Sequence, residues 1–521
     1  MRAPENTQVL FVSAMRRGEY AAQSPRRRAA GDLGIRYLAA VLRARGVQAD
    51  VLPDHQNTPA ALEQRLRAAR GLVLVGFSLH ISTLEGGLAS IAACRRVRPD
   101  VPVVVGGYHP TFAARALDEA GVGADYVVRG EGETPTVALV EALAHGDDPR
   151  GIRGMVAFGD PAAGALLGNE QRGVPQDLDA LPLPLRTADD MPQDTAEVMV
   201  SASRGCYGSC TFCSVPVFGR AGWRGRDPNR VADEVDLLRR RHGARFVDFV
   251  DDSLFGPRDG DERARMFHTA FASLELKIPF RASIRPNDIN AERITLLKEC
   301  GLAAVQLGVE SFSPRQLQEV YHKRSTSEAA IRAVRLLESA GIHVQIGLIL
   351  FEPTTTLIDL QLSAEVLTEE PWAVTKGCTS QLFAAEGTKL ARRLVARGES
   401  LGLDNYLNHR WAFEDPRVAR VYEALCRQDR AVGDLGAALL DAITPPQEEL
   451  SAEASAEIRS LQNRYQRASF RALHLACRAA SDGASSEGIT ATLEHHLAPE
   501  FDFIRQRAEL LLTSFPFGGR R

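Results

Sequence analysis

Two successive strand–helix series followed by a helix-only stretch predict an α/β protein with two sheets and a helical C-terminal region. Three observations carry this. Short apolar runs alternate with amphipathic stretches over residues 1–150, the alternation resumes at Val198, and it stops beyond about Ala391. Strands separated by helical crossovers pair in parallel and are covered by helices on both faces. A chain of 521 residues is long enough for each unit to bury its own core.

In the first series, Val9–Val12, Ala49–Leu52, Leu72–Ser78, Val101–Gly106 and Tyr126–Val128 read as strands. Helical patterns fall at Gly34–Arg45, Pro59–Ala69, Leu84–Val97, Thr111–Ala120 and Thr134–His145. Five such units predict a flavodoxin-like (Rossmann-like) domain over 1–150, with its ligand beyond the C-terminal strand ends. The loops there carry Gly76-Phe77-Ser78, Gly106-Gly107-Tyr108-His109-Pro110 and Gly130-Glu131-Gly132-Glu133-Thr134. Glycine at such ends lets backbone approach a ligand closely.

Residues 151–195 read as a linker, because Pro, Gly and Asp rise between Asp160 and Met191 and periodicity fades. The second series spans 196–390, with strands at Val198–Ser203, Phe246–Asp252, Phe280–Arg285, Ala304–Ser311, His343–Leu350 and Trp372–Leu382. Asn229 is placed to cap a helix whose Val231, Val235 and Leu238 share a face; Ser325 and Glu328 make a capping-box pair, and Gly341 a helix stop. Six βα units predict a partial (β/α)6 barrel of the TIM type, with functional groups on strand C-termini. Within 391–521, Arg417–Arg427 and Glu457–Ala479 read as helices, with Leu461, Tyr465 and Phe470 as core contacts.

Composition narrows the function classes. A net charge of −4 gives no global case for nucleic-acid binding. No apolar run reaches a membrane span, and Met1–Asn6 is not the start of a secretory signal. Eight cysteines are too few for a disulfide scaffold in a chain this long. A reducing, cytoplasmic setting is the expectation.

Cys206, Cys210 and Cys213 spell C-x3-C-x2-C directly after the first strand of the second series. Three thiolates cannot close a four-ligand zinc site or occupy every iron of a cubane. A 4Fe–4S cluster held this way keeps one iron open to a small molecule. A zinc loop or three reduced core thiols is the alternative, and no second C-x2-C or nearby Cys/His pair offers a fourth zinc ligand.

This loop, with Phe212 just before its last cysteine, resembles that of the radical S-adenosylmethionine superfamily over about Val198–Leu390. The resemblance implies a 4Fe–4S cluster on Cys206, Cys210 and Cys213, S-adenosyl-L-methionine on its open iron, and reductive cleavage to a 5′-deoxyadenosyl radical. It places Phe212 against the adenine, Asp252 (beside Asp251) at the amine and Glu310 at the ribose, with Gln345 doing similar work. Arg281, Ser283 and Arg285 alternate along one face of the third strand, and a cofactor carboxylate is a candidate partner. Helix capping, ion pairing or a core hydrogen bond remain the alternatives at these positions. No catalytic residue proper is assigned.

The first domain, through Val105–Pro110 and Gly130–Glu133, resembles the cobalamin-binding class of that superfamily, the class B-type radical methylases and relatives. Ser78, Gly107, His109 and Glu133 match segments around the corrin. Loop one, Ser13-Ala14-Met15-Arg16-Arg17-Gly18-Glu19, lacks D-x-H-x-x-G, so the resemblance implies cobalt without a protein histidine or a domain that no longer binds cobalamin. Arg26-Arg27-Arg28 reads as a solvated charge run. Methylation of an unactivated carbon in a small biosynthetic molecule is the implied activity. Cyclisation, rearrangement or oxidation, with cobalamin absent or non-methylating, is the alternative. A small-molecule substrate and an electron donor such as flavodoxin or ferredoxin are the implied partners. A methylthiotransferase would need a second cluster on N-terminal cysteines, and only Cys94 precedes Cys206.

Overall fold

The computed structural model describes residues 4, 6–15, 32–160, 177–187, 197–218, 222–257, 260–370, 372–374, 377–444 and 451–512. Arg16–Glu19 of loop one, the Arg26–Arg28 run and most of the Asp160–Met191 segment lie outside them.

The first sheet holds β1 (Gln8–Ser13), β2 (Gln48–Leu52), β3 (Leu72–Ser78), β4 (Val103–Gly106), β5 (Tyr126–Val128) and β6 (Met155–Ala157), in the order β2-β1-β3-β4-β5-β6. The first five are parallel, as the alternation predicts. Both faces of β1 are buried: Leu10 and Val12 pack into one apolar layer with Val75 and Phe77, Val9 and Phe11 into the other with Leu74 and Val104. The covering helices are α1 (Leu33–Arg43), α2 (Pro59–Ala68), α3 (Leu84–Val97), α4 (Tyr108–Glu119) and α5 (Glu133–His145). Order reverses between β1 and β3, the switch point where such sheets open a ligand crevice. One strand corrects the reading of 151–195 as connector throughout: β6 pairs antiparallel with β5. Three residues leave no readable period.

The second sheet is wholly parallel in the order β12-β11-β10-β9-β8-β7, from β7 (Glu197–Val200), β8 (Phe246–Phe249), β9 (Phe280–Ile284), β10 (Leu302–Glu310), β11 (His343–Leu348) and β12 (Ala373–Val374). β7 and β12 are its edges, so the barrel is open on one side. Its helices are α6 (Pro228–His242), α7 (Gly260–Ala272), α8 (Ala291–Cys300), α9 (Ser327–Ser339) and α10 (Leu357–Glu369). Val231, Val235 and Leu238 all face the core. Two caps differ from the sequence reading. Asp227, not Asn229, caps α6, because Pro228 takes the first helical position. Thr326, not Ser325, caps α9, while the Ser325 hydroxyl donates to Asn287. β12 is only two residues long and β8 ends at Phe249, leaving Asp251 and Asp252 in the following loop.

α11 (Lys389–Ala396) is followed by a hairpin, Leu403–Asp404 with Asn408–His409, where no β signal is legible. It reaches back to the first domain, placing Leu407 in that domain's core with Ala385. Four helices end the described chain: α12 (Pro416–Val432), α13 (Leu435–Ile443), α14 (Ala452–Ser481) and α15 (Ser486–Leu512). Leu461, Tyr465 and Phe470 are buried in a core continuous with that of the barrel. Gln345 of β11 donates to the Thr444 hydroxyl at 2.7 Å, tying the lumen to the end of α13. Among the described residues, no helix is long and apolar enough to cross a membrane.

Candidate functional site

The cysteine loop leaves β7 through Ser203-Arg204-Gly205. Gly205 has φ +83°, and a Cβ there would lie 2.3 Å from the Gly222 carbonyl oxygen, so a side chain would force the loop off its strand. Thr211 then pins the turn from both sides. Its N–H donates to the Tyr321 carbonyl (2.9 Å) and its hydroxyl to the Val320 carbonyl (2.6 Å), while its own carbonyl accepts from Leu390 N–H (2.9 Å). Phe212 packs edge-on against Tyr321 at 5.3 Å, and the Tyr321 hydroxyl donates to the Ile349 carbonyl.

This anchoring brings Cys206, Cys210 and Cys213 onto a cavity of about 620 Å³ at the barrel mouth, together with Phe212, Asp252, Ser283, Arg285, Glu310 and Gln345. Among the described residues, no three His, Cys, Asp or Glu side chains gather tightly enough for a single metal ion. A shared wide cavity suits a group larger than one ion. Burial raises the Cys210 thiol and pushes that of Cys213 up to about 12, so thiolates here need positive charge beside them, which iron supplies.

The polar lining is partly uncommitted. Arg285 stacks its guanidinium over the Tyr207 ring (4.4 Å) and points Nη1 at Cys206 Sγ (3.7 Å), while its buried Nε has no partner. Tyr207 is held by its hydroxyl donating to Asp288. Burial lifts the Asp252 carboxyl to about 6. Glu310 sits at φ +72°, beside an irregularity in the β10–β11 register, and accepts from Lys323 Nζ at 3.1 Å. A non-glycine residue held in the left-handed region costs energy that local structure must offset, and such residues cluster at functional sites. Two other residues are engaged elsewhere. Gln345 spends its amide donor on Thr444, and Arg281 is held in the lumen between Glu197 (3.1 Å) and Asp248 (2.5 Å).

A second cavity, of about 360 Å³, lies between the first domain and the barrel. Ser78, Gly107 and Glu133 line it from the first domain; Arg204, Cys206, Val215 and Asp252 line it from the barrel. Gly107 has φ +92°, and a Cβ there would meet the Ser78 hydroxyl at 2.8 Å. Apolar walls come from Phe11, Phe77, Tyr37, Tyr108 and Phe218, the last two stacked 5.9 Å apart. Glu133 Oε2 is buried without a partner. An apolar cleft with glycine-rich walls and an orphaned acceptor fits a broad, amide-bearing ring such as a corrin.

His109 is a correction. It is fully buried and outside the cavity lining, because its place in the first turn of α4 turns the ring away from the strand ends. The ring faces the Asn405 backbone without reaching hydrogen-bond geometry, and burial pushes it down to about 4. The imidazole that does line the cavity is His80, near Asp32, whose carboxylate takes the Ser78 hydroxyl. Sequence reasoning also missed Lys323, Glu131, Arg204 and Arg224. Two of them had a readable cue: Arg204 is a charge two residues before the first cysteine, and Glu131 lies in the glycine-rich Gly130–Glu133 loop.

Comparison with known proteins agrees with this arrangement. Residues 28–140 match the B12 binding domain family and residues 200–362 the radical SAM superfamily. The chain thus combines a domain matching the B12 binding family with one matching the radical SAM superfamily. It is 31% identical over 290 residues to an uncharacterized methyltransferase of Pyrococcus horikoshii, covering 54% of this chain and 61% of that protein. It is 27% identical over 320 residues to the anaerobic magnesium-protoporphyrin IX monomethyl ester cyclase of Rubrivivax gelatinosus, covering 59% and 56%. The chain thus spans about three fifths of these relatives' length. The cobalamin-dependent S-adenosylmethionine radical enzyme OxsB, solved with aqua-cobalamin bound, shares the fold at a TM-score of 0.76 and 16% identity, over 98% of this chain and 80% of that one.

Proposed function

We propose that the chain transfers a methyl group to an unactivated carbon of a small organic molecule, as a cobalamin-dependent radical S-adenosylmethionine enzyme. The observation that carries this reading is that the two cavities meet: Cys206, Val215, Val250 and Asp252 line both. The cluster with S-adenosylmethionine supplies a radical that abstracts hydrogen, and cobalamin supplies a transferable methyl group. A substrate lodged at the junction is within reach of both.

The chain's residues bind, orient and exclude. Cys206, Cys210 and Cys213 hold the cluster. Arg285, through its free Nε–H, donates to the cofactor carboxylate; Asp252 accepts from its amine; Glu310, oriented by Lys323, accepts from ribose hydroxyls; and Phe212 packs on the adenine. Ser78, Gly107 and Glu133 hold the corrin. Phe11, Phe77, Tyr108 and Phe218 keep water from the junction, which protects a reactive radical from quenching.

The test is anaerobic incubation with reductant, S-adenosylmethionine, methylcobalamin and candidate intermediates, followed by mass spectrometry. Gain of one methyl with release of 5′-deoxyadenosine is expected. Ring closure is the second reading, favoured by the likeness to a protein named as a cyclase. A product without added carbon, formed alongside 5′-deoxyadenosine, would replace methyl transfer with it.

A further inference from the structure

The wall where the two cavities meet is apolar and open. Val250 is 43% exposed while its neighbours Phe249 and Asp251 are 1% and 4% exposed, because the chain leaving β8 turns its side chain onto both cavities. Val215 joins it on that wall. The fixed charges nearby are already engaged. Arg204 and Arg224 close on Glu133 and Glu131, Arg281 on Glu197 and Asp248, and Lys323 on Glu310. His80 lies beside Asp32, and Asp252 and Arg285 face the cofactor's amine and carboxylate in the reading above. The serine hydroxyls on the wall are spent as well: Ser78 on Asp32, Ser201 on the Ser203 carbonyl and Ser203 on the Ser253 carbonyl. Tyr108 differs. Its ring is clamped between Phe112 (5.1 Å) and Phe218 (5.9 Å), which fixes its direction. It lines the cavity with Val250 and Asp252, and its charged neighbours across the domain boundary are Cys213 and Asp252. Among the described residues its hydroxyl has no hydrogen-bond partner. Burial raises the phenol above its ordinary range, so the hydroxyl keeps its proton and is a donor.

We propose that Tyr108 determines specificity by donating to an oxygen acceptor on a neutral, largely apolar substrate that lies against Val215 and Val250. The proposal rests on the reading that both cofactors occupy their cavities, which leaves the junction to the substrate. A charged group there would be desolvated without a partner, whereas a carbonyl or ether oxygen gains the Tyr108 hydroxyl. The hydrogen bond also fixes how the apolar body is turned, and so which carbon faces the cofactors.

The test is equilibrium dialysis of the holoenzyme, loaded with cluster, hydroxocobalamin and S-adenosylmethionine and kept free of reductant. The probes share one apolar body: 2-acetylnaphthalene carries a carbonyl, 2-ethylnaphthalene has no acceptor, and 2-naphthoate is charged. The wild type should bind 2-acetylnaphthalene about tenfold more tightly than either of the others. Tyr108→Phe, which keeps the ring stack, should erase the preference over 2-ethylnaphthalene. Affinities of the variant for 2-ethylnaphthalene and for hydroxocobalamin should stay within about twofold of wild type, which a merely loosened wall would not allow. Equal wild-type binding of the two neutral probes, tightest binding of 2-naphthoate, or no binding of 2-acetylnaphthalene would overturn the proposal. So would loss of hydroxocobalamin from Tyr108→Phe, since the hydroxyl would then serve the corrin. No turnover enters these readouts, so methyl transfer stands or falls separately on the mass of the product. A wild-type chain that takes up neither cluster nor corrinoid would sink the proposed function, with the probe preference of the unloaded chain still deciding on Tyr108.

Discussion

Arg204 Nη2 donates to Glu133 Oε1 across 2.7 Å, joining the loop that leads into the cysteines to the first turn of α5 in the other domain. Glu131 is shared between Arg204 (3.4 Å) and Arg224, and the Arg204 guanidinium also lies over the Tyr37 ring at 5.2 Å. The carboxylates of Glu131 and Glu133 are buried at the cavity wall. This cluster therefore sets how the first domain sits on the cysteine loop, and a buried charge cluster is costly to leave half-paired.

Replacing Arg204 by Met should destabilise the protein by roughly 3 kcal/mol, because Glu133 loses its cation while staying buried. Adding Glu133→Gln should recover about half of that loss, since the uncompensated charge goes with it. Thermal unfolding of the four members of the cycle measures the coupling. Strictly additive losses would mean that the two residues do not act on each other.

Single changes of Cys206, Cys210 or Cys213 to Ala should leave folding nearly intact, with a shift within about 1 kcal/mol, since all three are only partly buried. Iron content and 5′-deoxyadenosine release should collapse in each. A variant that keeps wild-type release would remove that cysteine from the cluster set.

The two imidazoles near the first domain's strand ends should behave differently. His109→Phe should leave corrinoid affinity unchanged, because its ring lies outside the cavity. Paramagnetic resonance of the cob(II)alamin form should show no nitrogen coupling from a protein imidazole. If coupling appears and is abolished by His80→Ala, the cavity-wall histidine is the cobalt ligand and the histidine-free expectation fails.

The division between what was legible and what was not follows length scale. Long parallel strands and their crossovers leave apolar periods, so β1, β3, β10 and the helices of the first series stood out to within a few residues, as did the core-facing residues of α6. The three cysteines were legible because their chemistry depends on spacing along one loop. Elements of two or three residues, such as β6 and the 403–409 hairpin, have no period to read. Pairings between distant residues were equally hidden: Lys323 matters because β10 turns Glu310 toward it, and Glu131, though in a legible strand-end loop, because Arg204 and Arg224 converge on it from the other domain. His109 misled because Gly-Tyr-His-Pro looks like a ligand loop, whereas the helix already begins at Tyr108.

Asp251 offers a test of burial through pH. It is 4% exposed, with Oδ2 accepting from Ala202 N–H at 3.1 Å and Oδ1 unpartnered. Burial lifts its carboxyl to about 6; the Ser203 hydroxyl, the Ala202 N–H and the Arg263 guanidinium pull the other way, and Asp252 adds to the rise. The folded state therefore holds this proton more tightly than the unfolded chain does. Between about pH 4 and 6 stability should fall as pH rises, and above that window ionised Asp251 costs the fold roughly 2–3 kcal/mol. Asp251→Asn removes the titration while keeping an oxygen for Ala202 N–H. The variant's melting temperature, compared with that of the wild type, should rise steadily from pH 4 to pH 6.5 and then level off. A difference that stays constant across this range would show that Asp251 is ionised in the folded protein throughout, with Arg263 compensating its burial in full.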